Sequence, residues 1–173
     1  MKTKLIQTIN AVIFSSFFML ISCGGGEEQK TEGTGDTSKK APVEVVKPKE
    51  GEIIIKVTGN SMADMAYDPT SLTVKSGQKI KLTLINENKA EGMSHNWVLV
   101  PLGKGQEVVD AGLKAGADKG YVPESPAVLA HTALAGPEQT VSVEFTAPAP
   151  GSYNYICTYP GHFPKMIGKL IVE

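Results

Sequence analysis

From Gly51 to the C-terminus, apolar and polar residues alternate in short runs separated by Gly, Pro, Asn and Asp. In Lys79-Ile-Lys-Leu-Thr-Leu-Ile-Asn86, the residues Ile80, Leu82 and Leu84 fall on one side and Lys79, Lys81 and Thr83 on the other. Successive side chains of a strand point to opposite faces, so the pattern predicts a half-buried antiparallel strand. Val141, Val143 and Phe145 alternate in the same way with Thr140, Ser142 and Glu144. Further strands are expected at Ile53–Val57, Leu72–Val74, His95–Val100, Gly151–Cys157 and Ile167–Val172. About six to eight short strands with regularly spaced turns predict an all-β sandwich or small barrel. One interval breaks the rhythm. Between Gly103 and Gly120, Val108, Val109 and Leu113 recur at helical spacing, with Gln106, Glu107 and Lys114 between them. A short helical insertion outside the sheets is expected there, weakened by Gly112 and Gly116.

The first fifty residues follow another rule. Lys2 and Lys4 precede the apolar stretch Ala11 to Ile21. That stretch is too short for a bilayer, which takes about 20 residues to span, but suits the apolar part of an export signal. Leu20-Ile21-Ser22-Cys23 resembles a bacterial lipobox. This predicts a lipoprotein signal peptide over 1–22, with Cys23 the acylated first residue of the mature chain. Residues 23–50 are rich in Gly, Glu, Lys and Thr and too poor in large apolar groups to offset the entropy of ordering. They are expected to form a flexible tether with a root-mean-square span of about 30 Å. The folded domain is then 51–173, held at a bacterial membrane and facing the periplasm or the cell surface.

Composition narrows the chemistry. A chain of 173 residues suits one ordinary domain. Its 17 basic residues, all lysine, face 18 acidic ones, so no cationic excess exists to neutralise phosphates and nucleic acid is not an expected partner. Two cysteines, Cys23 and Cys157, without any C-x-x-C pair exclude a disulfide scaffold, a zinc ribbon, a thioredoxin-like dithiol and c-type haem attachment. The histidines His95, His131 and His162 all lie in the second half.

The informative segment is Cys157-Thr-Tyr-Pro-Gly-His162-Phe-Pro-Lys-Met166. It places a cysteine sulfur, an imidazole and a thioether within ten residues, and Pro160, Gly161 and Pro164 suit a tight loop. Thiolate and imidazole with a weak thioether favour copper over hard cations, and two histidines, one cysteine and a long axial methionine make the blue-copper set. The second histidine is available in Met93-Ser-His-Asn-Trp-Val-Leu99. There His95, Trp97 and Leu99 share one face under period-two geometry.

These two segments resemble those of azurin and its membrane-tethered relatives, the auracyanins, within the cupredoxin family. His95-Asn-Trp-Val-Leu99 is similar to azurin's first ligand segment, and Cys157, His162 and Met166 have its C-x₄-H-x₃-M spacing. Weaker agreement lies in Ala130-His-Thr132, Gly59-Asn60 and Tyr67-Asp68. The resemblance implies a Greek-key β-barrel and one type 1 copper held by His95, Cys157 and His162 with Met166 axial. It implies an approach of the Ser94 carbonyl to the metal from the opposite side, and a role for Asn96 in tying the two ligand segments together. It also implies a His162 edge that reaches the surface as the electron port, within an apolar patch extended by Met65 and Met93. Three positions depart from the pattern. Ser94 replaces a glycine, no second thiol remains for azurin's disulfide, and Asn86 stands near a position where the family has a non-ligand histidine. His131 is expected at the surface, Trp97 in the core, and Tyr153 and Tyr155 packed around the site.

The expected function is a monomeric, lipid-anchored blue copper protein, not an enzyme. It would pass single electrons between redox proteins such as c-type cytochromes or a terminal reductase or oxidase. Two rivals are a copper chaperone or storage protein of the same fold, which calls for an open or Met/His-rich site, and a purely structural β-module, which makes the metal motif accidental. The domain carries 10 lysines against 12 acidic residues, so brief apolar docking is expected over strong charge steering.

Overall fold

The computed structural model describes residues 50–173. The signal peptide expected at 1–22, nearly all of the tether expected at 23–50 and the lipidation expected at Cys23 lie outside the described residues. Among the described residues, nine strands form two sheets. The first sheet contains β1 (Glu52–Thr58), β2 (Ala66–Asp68), β4 (Lys79–Asn86) and β7 (Thr140–Thr146), in the order β2-β1-β4-β7. The second contains β3 (Ser71–Val74), β5 (Val98–Pro101), β6 (Ala130–His131), β8 (Gly151–Ile156) and β9 (Ile167–Val172), in the order β3-β9-β8-β5-β6. The pairs β1·β4 and β3·β9 run parallel and the rest antiparallel. The fold is a β-sandwich of two sheets with one helical insertion.

The alternation in the sequence becomes alternation in burial. Along β4, Ile80, Leu82 and Leu84 are buried and Lys79 and Lys81 exposed; along β9, Gly168, Leu170 and Val172 are buried and Ile167 and Lys169 exposed. Together with Ile55, Val57, Trp97, Leu99 and Tyr155, these side chains fill the space between the sheets. Trp97 sits at the centre, its ring 5.9 Å from that of Tyr155 and 5.4 Å from that of Phe145.

β5 reads differently because both of its faces are covered. Leu99 enters the main core, whereas Val98 and Val100 point outward with Ile156 and meet Val108 and Val109 of helix α1 (Gly105–Ala115). Each of these valines gains about 1.5–3 kcal/mol from full burial, and the helix provides the cover. The expected helix is therefore present, but its buried face is Gly105, Val108, Val109 and Gly112, while Leu113 is half exposed. Gly112 is needed for contact, since a Cβ there would lie 2.3 Å from the carbonyl oxygen of Tyr121. Gly116, at φ +81°, ends the helix.

The segment at 95–100 is not one strand as expected. His95 makes an isolated bridge with Ala135, and regular pairing begins only at Val98. The interruption arises because Asn96 and Trp97 spend polar groups elsewhere: Trp97 exchanges main-chain and side-chain hydrogen bonds with Thr132, and Asn96 reaches toward the loop after β8.

Candidate metal centre

Two segments meet at one end of the sandwich. Cys157 immediately follows β8, and the chain turns through Tyr159, Gly161 and His162 before entering β9. The turn closes on itself: the N–H of His162 donates to Tyr159 O at 3.1 Å, that of Met166 to His162 O at 2.8 Å, and that of Cys157 to Met166 O at 3.2 Å. Gly161 adopts φ +82°, the left-handed conformation that glycine takes without steric cost.

The second segment supplies His95, clamped on both sides of its backbone by Ala135 at 2.9 and 2.7 Å. Asn86 holds the residues just before it, its Nδ2 donating to the carbonyls of Met93, Ala135 and Gly136. Asn96 then locks the two segments together. Its Nδ2 donates to Thr158 Oγ1 at 2.8 Å and to Gly120 O at 2.9 Å, while its Oδ1 accepts from the Thr158 N–H at 2.9 Å. The tie expected at Asn96 is present, and its counterpart is the residue directly after Cys157.

The structure brings together His95, Cys157 and His162, whose donor atoms all lie within 4.8 Å of one another. Cys157 Sγ is 3.5 Å from His162 Nδ1, and the two imidazole rings are 4.7 Å apart. All three residues are buried, at 0, 0 and 1% exposure. Both ring nitrogens of His95 lack a hydrogen-bond partner. A buried polar atom without a partner costs about 1–3 kcal/mol, and a metal ion at the convergence of the three donors would satisfy it. The donor set and its burial therefore fit a copper ion.

Electrostatics follow from the burial. Loss of solvent pushes His95 down to about 4, with His162 beside it adding to the effect, and burial lowers His162 as well. Burial pushes the Cys157 thiol up to about 11, partly offset by the backbone N–H groups of Asn96 and Tyr159 and by the Tyr67 hydroxyl. Both histidines are thus held neutral, the form that binds metal, and donors stand ready for a thiolate at Cys157.

Other expected residues take varied places. Met166 is fully buried on the closing turn, and Ser94 is partly buried directly before His95. Among the described residues, the non-glycine positions with left-handed backbone are Tyr121 and Glu138, so Ser94 fits without the freedom of a glycine. The His162 edge does not open to solvent as expected. The Tyr159 ring lies 4.8 Å from it and the residue is 1% exposed. Met65 and Met93 are buried in the core and extend no surface patch. Their place is taken by Met62, half exposed, which would touch a Cβ added to Gly161 at 3.2 Å. His131 is exposed, Trp97 is core, and Tyr153 and Tyr155 pack with Cys157 in the main cluster.

Comparison with known proteins agrees with this geometry. Residues 53–173 match the family model for copper binding proteins of the plastocyanin/azurin family. The chain is 37% identical to auracyanin-A of Chloroflexus aurantiacus over the full length of both, and 33% identical to an azurin of Pseudomonas fluorescens, covering 68% of this chain and 98% of the azurin. Among solved structures it is similar to auracyanin A, a "blue" copper protein from the same Chloroflexus, with a TM-score of 0.63 and 41% identity over 70% of this chain and 98% of that one.

Proposed function

Because the chain belongs to the plastocyanin/azurin family of copper-binding proteins, we propose that it is a blue copper electron carrier, exported and lipid-anchored through Cys23 at a bacterial membrane. The observation that carries this reading is the sealed convergence of His95, Cys157 and His162, with both His95 nitrogens unpartnered. Copper, when bound there, supplies a one-electron couple. The protein supplies a thiolate at Cys157, neutral imidazoles at His95 and His162, and a hydrogen-bonded frame that holds the two ligand segments. Met166, which closes the ligand loop, would add its thioether to the donors that hold the copper, and Ser94, directly before His95, would offer its main-chain carbonyl. Asn96 and Thr158 keep the two segments at fixed separation, the kind of support that orients ligands and tunes a metal.

Electrons leave through His162, the donor on the outermost loop, across the thin cover of Tyr159, Gly161 and Met62. The partners are redox proteins such as c-type cytochromes or a terminal reductase or oxidase, docking briefly on a small face. A chaperone or storage role would call for an open site, and here the three donors are 0–1% exposed. The test is addition of Cu(II) to the purified protein. An intense visible thiolate-to-copper band and a reversible one-electron potential are expected, with the colour abolished in Cys157→Ser; a colourless product from the unsubstituted chain would sink the proposal.

A further inference from the structure

His162 is 1% exposed, so an electron leaving by this donor must cross whatever covers it. Among the described residues, the rings in contact with it are those of His95, the fellow donor, and Tyr159, 4.8 Å away. Tyr159 in turn meets the ring of Tyr121 edge-on at 5.3 Å. Both tyrosines are half-buried, so the pair leads from a sealed donor to the protein surface.

One side chain fixes the roots of both rings. Asn96 donates from Nδ2 to Gly120 O at 2.9 Å and to Thr158 Oγ1 at 2.8 Å, and its Oδ1 accepts from the Thr158 N–H. Gly120 and Thr158 are the residues directly before Tyr121 and Tyr159. The clamp that joins the ligand segments therefore also sets the distance between the two rings. Strain is a second, separate sign. Tyr121 has φ +59°, in the left-handed region, which is an outlier for a bulky side chain. Glycine takes such a conformation without steric cost, as Gly120 does at φ 59°. Tyr121 is held there by its N–H, which donates to Gly116 O at 3.0 Å, while its carbonyl packs where Gly112 of α1 leaves room. A residue kept in a costly conformation by its surroundings points to a use for its side chain. The ring contact that Tyr121 makes is the one with Tyr159.

We propose that Tyr121 is a positioning residue for electron exit: its ring holds that of Tyr159 against His162, and the electron passes from His162 to the redox partner through the Tyr159–Tyr121 pair. Electron transfer slows steeply with each unbridged gap, and two rings in contact fill the gap that the cover of His162 would otherwise leave. The copper centre loses one electron and the partner, a one-electron oxidant, gains it; neither ring changes oxidation state and no proton moves. The inference deepens the blue-copper reading above and rests on it.

The test uses the copper-loaded full chain, with a second copy of the same protein as the partner. Reduced and oxidised protein are mixed and the exchange of electrons between copies is timed by NMR line broadening, with the visible band and the potential read alongside. The copper-free protein supplies an independent readout, the NMR contact between the Tyr159 and His162 rings. Tyr121→Asn removes the ring but keeps a residue that tolerates left-handed backbone. It is expected to weaken that contact and to slow exchange by up to roughly tenfold, the factor that one aromatic pair is worth, with band and potential unmoved. Tyr121→Phe is expected to keep both the contact and the rate, and Tyr159→Leu to slow exchange. Exchange in Tyr121→Asn and Tyr159→Leu as fast as in the unsubstituted protein, or faster, would mean that the rings only shield His162, and it overturns the proposal. So does an undiminished ring contact or a shifted potential in Tyr121→Asn, or slow exchange in Tyr121→Phe. Should Tyr121→Asn fail to fold, Tyr121→Gly takes its place with the same expectations, since glycine adopts this backbone freely. An unsubstituted protein without the thiolate-to-copper band overturns the blue-copper reading, whereas blue protein with unmoved exchange overturns this inference only.

Discussion

Burial makes His95 an acid-sensitive point in the copper-free protein. An exposed imidazole titrates near 6.5, and in the fold it is pushed down to about 4. As the pH falls, the unfolded chain therefore takes up the proton first. The stability that His95 contributes is complete above about pH 6.5 and is lost as the pH drops toward 4, a total of roughly 3 kcal/mol. His162 is shifted in the same direction. Cys157 acts at the other end. Its thiol is raised from 9.0 to about 11, so its contribution is complete below 9 and is lost as the pH rises through 11. Denaturant unfolding of the copper-free protein should give a plateau between about pH 6.5 and 9 with a descending shoulder on each side. His95→Gln should flatten the acid shoulder, and a shoulder of full size in that variant would show that another group causes it. The ligands themselves were legible in the sequence, because cysteine, histidine and methionine within ten residues signal a site by local spacing. Thr158, Asn86 and Met62 were not, because each acquires its role only when β4 or the turn after β8 arrives beside its partner.

At the scale of elements, the strands easiest to read were those with one wet face. β4, β7 and β9 alternate in sequence as they do in burial. β2 and β6, with three and two residues, are too short to show any period. β5 was read too long, because buried residues continue on its N-terminal side through His95, Asn96 and Trp97 without sheet pairing. The helix lies within the interval where its spacing predicts one, but its contact surface is made partly of glycine, which carries no hydrophobic signal. Gly112→Ala tests this. In an exposed helix interior the change would stabilise by about 1 kcal/mol, yet here the new Cβ would meet the Tyr121 carbonyl. A lower thermal midpoint is expected, by several degrees; a raised midpoint would mean that Tyr121 yields freely. Gly105 plays a related part at the start of α1, where a Cβ would meet the Phe163 ring at 2.9 Å. The insertion thus braces the ligand loop from outside the barrel.

For the whole molecule, the anchoring proposed at Cys23 is open to a direct test. Cys23→Ala should release the protein from the membrane fraction and leave the visible spectrum unchanged; retention at the membrane would count against lipidation. The order of the second sheet, β3-β9-β8-β5-β6, has a consequence for how the protein is made. Its two inner strands next to β3 and β5 are β9 and β8, which follow the other strands in chain order. A chain growing from its N-terminus can assemble the first sheet only up to β4 until β7 arrives, and β3 and β5 remain unjoined until the final stretch is complete. Cys157, His162 and Met166 belong to that stretch. Chains cut short before β8 therefore lack both the centre of the sheet and the donors of the ligand loop, keeping His95 alone of the three that converge. The pairing of distant strands also makes folding slow relative to a helical bundle of similar size, which leaves an interval in which the chain is still unfolded and metal-free.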